Sequence, residues 1–145
     1  MQITRQTEYA VRTLIELAKA EEGKLVLTKL ISLNQNIPEV FLKKTIQLLA
    51  NAGLIATQRG TQGGVRLAVS PSEITIADVF TAVEGRVAIN VCLTEAYPCP
   101  NKSVCRVHGV LQRAQDALIN ELSRDSIADL LREQEAPAYT KGRKL

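Results

Sequence analysis

The apolar period of this chain changes at Gly53. Before it, apolar residues recur at three- and four-residue steps. After it, two short β-type runs, 54–59 and 65–69, flank Gly60-Thr61-Gln62-Gly63-Gly64. Three glycines in five residues make a hairpin tip that tolerates positive φ and lets another molecule approach the backbone. Upstream, Tyr9, Ala10, Val11, Leu14, Ile15, Leu17 and Ala18 predict a helix over residues 4–20, with Thr4 or Thr7 as its cap and Gly23 as its end. A second short helix fits Thr28 to Leu33, with Leu30, Ile31 and Leu33 inward. Asn34 to Pro38 reads as a turn. Pro38 is expected at the first position of a third helix, which carries Val40, Phe41, Ile46, Leu48 and Leu49 to about Ala52 and stops at Gly53. Helix, short helix, turn, helix and glycine-tipped hairpin, in that order, make a winged helix-turn-helix.

Pro71 to Thr75 reads as a linker, and Thr75 caps a helix from Ile76 to about Val83 that Gly85 ends. From Val104 onward, Val104, Val107, Leu111, Ala114, Leu118 and Leu122 form a narrow seam, the pattern of a helix that packs against a helix of a second copy. A last helix fits Ser126 to Gln134, capped by Asp125 or Ser126. The expected fold class is mainly α with a small β-hairpin wing (α+β), a winged helix-turn-helix plus a long C-terminal dimerisation helix. The expected division is a DNA-binding domain over 1–70, a cysteine loop with dimerisation helices over 71–135, and a flexible basic tail over 136–145 with Lys141, Arg143 and Lys144.

Charge and composition narrow the function. Residues 1–75 carry nine Lys/Arg against six Asp/Glu, whereas residues 76–145 carry nine of each, so the excess of three sits in the half that holds the helix-turn-helix. The chain has no Trp, two Phe and three Tyr, too few aromatics for a platform that stacks single-stranded bases. The N-terminus enters the amphipathic pattern without a signal peptide, and no apolar run approaches the ~18 residues of a membrane span, so a cytoplasmic protein without membrane contact is expected. There is no C-x-x-C, no Gly-rich phosphate loop after a strand and no nucleophile–base pair, so neither an enzyme nor a small-molecule substrate is expected.

All three cysteines, Cys92, Cys99 and Cys105, fall within fourteen residues, and the chain's one histidine, His108, follows in the spacing C-x6-C-x5-C-x2-H. Thiolates this close, separated by polar and Pro-containing linkers, can converge on one soft metal centre. An odd number of cysteines cannot all be consumed in intrachain disulfides. Three chemistries fit: an iron–sulfur cluster, a Cys3His zinc site, or metal-free thiols that form reversible disulfides. For the DNA face, the exposed N-terminal half of the third helix offers Glu39, Lys43, Lys44 and Gln47, with Thr45 nearby. Lysines suit phosphate or guanine, and Gln47 suits adenine. Arg59, expected at the wing's base, suits a narrow minor groove. Thr61, Gln62 and Arg66 suit the backbone, and Gly60, Gly63 and Gly64 permit the approach. Thr4, Arg5 and Gln6 are further phosphate candidates.

Met1-Gln-Ile-Thr-Arg-Gln-Thr-Glu-Tyr-Ala-Val-Arg12, Phe41-Leu-Lys-Lys44, Ala52-Gly-Leu54, Arg59-Gly-x-x-Gly-Gly-Val-Arg-Leu67 and Ile127-Ala-Asp-Leu130 resemble the Rrf family of bacterial winged-helix transcription regulators. The three-cysteine loop resembles that of its cluster-bearing members, the IscR, NsrR and RirA types. The resemblance spans roughly residues 1–135. It implies a homodimer crossed through its long C-terminal helices and bound to a palindromic double-stranded operator, and a repressor whose 4Fe–4S or 2Fe–2S cluster sits on Cys92, Cys99 and Cys105. It offers two fourth ligands: His108, at the position of an IscR-type histidine, and Glu8, at the position of an NsrR-type acidic ligand given by the other subunit. It also implies that the position of Lys43 reads bases, and a lysine there implies an operator preference of its own.

Overall fold

The computed structural model describes residues 3–135. Six helices and one hairpin follow in chain order: α1 (Arg5–Ala18), α2 (Thr28–Gln35), α3 (Glu39–Asn51), β1 (Ile55–Gln58), β2 (Gly64–Leu67), α4 (Ile76–Glu84), α5 (Arg106–Leu122) and α6 (Ile127–Glu135). Single 3₁₀ turns lie at Pro71–Glu73 and Val91–Leu93. This is the mainly helical winged arrangement read from the sequence. The expected tail, 136–145, lies outside the described residues. None of the described helices is long and apolar enough to cross a membrane.

The core forms around α1. Ala10, Leu14, Ile15 and Leu17 meet Ile31, Leu42, Leu49, Ile55 and Val65, and the same cluster takes in Ile74, Val79 and Ile127 from beyond residue 70. Helix α1 therefore packs on α2, α3, α4 and α6 at once. The strands pair antiparallel, Ile55 opposite Leu67 and Gln58 opposite Gly64. A bridge that the sequence did not announce anchors them: Val26 N donates to Val65 O at 2.8 Å and Val65 N to Val26 O at 2.9 Å. The wing thus starts from three backbone segments.

Several local expectations need correction. Leu30 and Leu33 do not point inward. The two turns of α2 meet α1 and α3 through one narrow face, which Ile31 fills, and Leu33 stays 68% exposed. Pro38 is the cap before α3 rather than its first residue, because its ψ of 135° is extended; the turn into it is made by Asn36 at φ 50°. Gly23 does not end α1, which stops at Ala18; Gly23, at φ 77°, turns the chain toward Val26. Neither Thr4 nor Thr7 caps α1 with its side chain. Both hydroxyls bond Glu84 instead.

The later caps form as read. Thr75 and Asp78 build a reciprocal capping box at α4, with Thr75 N donating to Asp78 Oδ2 at 2.8 Å. Gly85 ends that helix at φ 87°. Ser126, not Asp125, caps α6, and its N–H donates to Asp129 Oδ2 at 2.9 Å. Helix α5 differs from the rest. Gln115 is its one buried residue, while Val104 before it and Val107 and Val110 within it stay exposed.

Candidate nucleic-acid interface and metal centre

Helix α3 is packed by Leu42, Thr45, Ile46 and Leu49. Lys43, Lys44 and Gln47 therefore fall on the opposite side, and they and Glu39 are exposed. Thr45 does not belong with them. It is fully buried, donates to Phe41 O at 2.8 Å and accepts from Gln6 Nε2. Gln6 thereby spends its amide inside the fold, pinning the start of α1 to the middle of α3. Of the N-terminal phosphate candidates, Arg5 is exposed and makes no side-chain hydrogen bond among the described residues, whereas Thr4 bonds Glu84.

At the wing, Arg59 directly follows β1 and so stands at the hairpin's tip, not at its base. Arg59, Thr61 and Gln62 are exposed around a turn closed by Gly63 N donating to Gly60 O at 3.0 Å. Gly60 takes φ 109°, a value that side chains disfavour. A Cβ on Gly63 would overlap the Gln58 carbonyl oxygen and lie 2.9 Å from that of Gly60. The tip can be this tight only with glycine there. Arg66 is exposed on β2.

Glu84, the last residue of α4, joins the two halves of the molecule. Its Oε1 accepts from the Thr7 hydroxyl at 2.7 Å and also from that of Thr4. Partial burial pushes this carboxyl up. The two hydroxyls and the Lys44 charge outweigh it and hold the group below the ordinary carboxylate value. One carboxylate thus bonds the N-terminus of α1, senses the recognition-helix candidate Lys44, and precedes the segment that leads to the cysteines.

The cysteine loop runs from the 3₁₀ turn at Val91–Leu93 to the start of α5. Cys92, Cys99 and Cys105 are half-buried free thiols. Asn90 Nδ2 donates to Cys92 Sγ at 3.5 Å, and Cys105 caps α5 by accepting from His108 N at 3.4 Å. His108 Nδ1 is buried with no hydrogen-bond partner. Among the described residues the fold does not draw three or more Cys, His, Asp or Glu side chains close enough to hold a metal ion. The donor chemistry fits a soft metal all the same: three unpaired thiols on one loop, and an imidazole nitrogen with an unmet bond one helical turn from Cys105. Glu8 lies on α1, exposed, with Oε1 3.2 Å from Arg12 Nη1. Beside the loop an open groove of about 530 Å³ separates α4 from α5, lined in part by Ala77, Val87, Ala88, Leu93 and Ile119. The buried Gln115 also lines it and accepts from Ile89 N at 3.1 Å.

The Rrf2 family, described as iron-dependent transcriptional regulators, matches residues 3–133. This chain belongs to the Rrf2 family. It is 36% identical over 132 residues to the HTH-type transcriptional regulator NsrR of Halalkalibacterium halodurans, covering 90% of both proteins. Among solved structures it is similar to CymR, the global cysteine regulator of B. subtilis, with TM-score 0.72, 27% identity and coverage of 92% of this chain and 98% of that one. The IscR of T. potens shares the fold at TM-score 0.71, with 23% identity over 98% of this chain and 94% of that one.

As an Rrf2 protein the chain is a DNA-binding transcriptional regulator, and its relatives are regulators rather than enzymes. Of the candidate DNA-facing side chains read from the sequence, Glu39, Lys43, Lys44, Gln47, Arg59, Thr61, Gln62 and Arg66 lie on exposed surface, whereas Thr45 is buried. Sequence reading missed Glu84, whose partners lie 77 and 80 positions away and carry no local signal. It also left unused the exposure of Val40, which the three- and four-residue rhythm of Leu42, Thr45, Ile46 and Leu49 would have revealed.

Proposed function

We propose that this chain is a homodimeric transcriptional repressor whose iron–sulfur cluster, held by Cys92, Cys99 and Cys105, sets its affinity for a palindromic operator. The observation that carries the reading is the buried, unpartnered Nδ1 of His108, in the first turn of the helix that follows a loop with three free thiols. A buried polar atom without a partner is costly in a finished site, and a fourth ligand bond would satisfy it. His108 is therefore the intrachain fourth donor of this proposal. Glu8 of a partner subunit is the second reading, favoured by its exposure on the helix that Glu84 ties to α4. A bound cluster would supply an iron centre whose one non-thiolate bond is the exchangeable one.

The chain's own residues supply the coupling. Residues 86–105 join α4 to α5, so a change in the set of the loop acts on Gly85 and Glu84. Glu84 in turn holds Thr4 and Thr7 on α1, and α1 carries Gln6 against Thr45 of α3. Moving α4 relative to α1 therefore reaches the helix assigned to the major groove through side chains in direct contact. On DNA, residues 1–70 bind: Glu39 and Gln47 face base edges, Lys43 and Lys44 meet phosphate or guanine, Arg59 enters the minor groove, and Gly60, Thr61, Gln62 and Arg66 meet the backbone. Residues 71–135 carry the loop and the dimer contact, the exposed Val107 and Val110 of α5 lying against a second copy.

The test is the absorption spectrum, with iron, sulfide and zinc per chain, of protein purified without oxygen. Visible charge-transfer bands with stoichiometric sulfide support the proposal. A colourless protein with one zinc replaces it with a zinc-stapled regulator. A protein that stays metal-free through reconstitution and loses thiols to oxidant replaces it with a thiol switch.

A further inference from the structure

Val40 stands in the first turn of α3 and is 77% exposed. At 100° per residue the buried Leu42, Thr45, Ile46 and Leu49 define one side of the helix. Val40, Lys43, Lys44 and Gln47 fall together on the other, and all four are exposed. Val40 is the apolar member of this otherwise polar stripe, placed near its midline and at the end where a recognition helix meets base edges. Its neighbour Phe41 is 51% exposed but lies about a quarter-turn around the helix from the stripe's midline, with its ring 6.1 Å from that of Tyr9. Glu39, in the same turn, would repel phosphates and suits a cytosine amine. This turn is thus poorly built for the sugar–phosphate backbone and well built for the floor of the groove.

We infer that Val40 is a specificity-determining residue that reads the C5-methyl group of a thymine in the major groove of each operator half-site. The inference rests on α3 being the recognition helix. A branched apolar side chain carried into the groove by flanking lysines has one apolar group to meet there, and among the bases only thymine offers it. Removing one methyl contact weakens such an interaction about fourfold, and about tenfold or more when it is lost in both half-sites.

The experiment selects an operator from random duplexes with the full-length protein, then replaces each symmetry-related pair of thymines by deoxyuridine, which lacks only the methyl. Affinity is read by fluorescence anisotropy at fixed salt, and circular dichroism checks that each variant folds. The wild type is expected to lose about tenfold at one symmetric pair, and Val40→Ala to bind both duplexes alike. A wild type indifferent at every thymine, or a Val40→Ala variant with the full deoxyuridine penalty, overturns the inference. The double variant Lys43→Ala, Lys44→Ala separates the levels of failure. If it loses binding while Val40 has no effect, α3 still reads the groove and the inference about Val40 alone fails; if it binds normally, the placement of α3 fails too.

Discussion

The Thr7 hydroxyl donates to the Glu84 carboxylate at 2.7 Å, across 77 residues of sequence and between the first helix and the last residue before the cysteine segment. Thr4 donates to the same oxygen, so one acceptor holds both ends of the first turn of α1. A charged acceptor makes these bonds stronger than neutral ones. In Glu84→Gln the charge is lost while the shape remains. Operator affinity of this variant should become less responsive to cluster removal, by about threefold or more, with only a small loss of thermal stability. Anisotropy titrations of loaded and stripped protein measure it. A response equal to wild type would remove Glu84 from the coupling route.

Glu16 supports the fold in a way that depends on pH. It is buried, accepts from Asn34 Nδ2 at 2.7 Å and Gln35 Nε2 at 2.6 Å, and pairs with Lys19 at 3.1 Å. Burial pushes its carboxyl up, but these three partners together hold it below its usual 4.5. A depressed carboxyl stabilises the fold above its unfolded value, and that contribution is lost as pH falls through the lower folded value. Urea midpoints at neutral pH and near pH 3.5 should therefore fall for the wild type and fall less for Glu16→Gln, which begins about 1–2 kcal/mol less stable. Equal drops in both proteins would contradict the assignment.

Lys43, Lys44, Arg59 and Arg66, doubled across a palindrome, give a slope of log affinity against log salt of about −7. Arg59→Ala should flatten it by about two. A wild-type slope shallower than about −3 would mean that this face does not track phosphates. Gly63→Ala should also weaken binding, since its Cβ would overlap the Gln58 carbonyl oxygen and force the tip open.

The order of elements was legible in the sequence because it is written in local signals. Gly53 and Gly85 stop helices at positive φ, Thr75 and Asp78 spell a capping box, and the glycines of the wing permit its turn. Much of what failed was a matter of which side chains face inward. Leu30 and Leu33 are apolar, yet a two-turn helix has room to bury only Ile31. Thr45 sits beside two lysines in sequence but lies around the helix from them, in the core. The Val26–Val65 bridge and the Glu84 junction depend on contacts between distant segments, which spacing does not encode. The cysteines themselves were plain, and their proximity along the loop follows from sequence alone.

The choice of fourth ligand has its own readout. If His108 is the donor, His108→Ala should lose iron to a chelator about tenfold faster than wild type, while Glu8→Ala loses it at the wild-type rate. The reverse ranking would transfer the role to Glu8 of the partner subunit.

In the proposed mechanism one protein has two operator affinities, set by what the loop holds. The direct measurement is the operator Kd of anaerobically purified, cluster-loaded dimer against the same preparation stripped by chelator, at one salt concentration, with Cys99→Ala alongside. The expected result is a difference of about tenfold or more, with Cys99→Ala matching the stripped protein. Equal affinities in all three would contradict it.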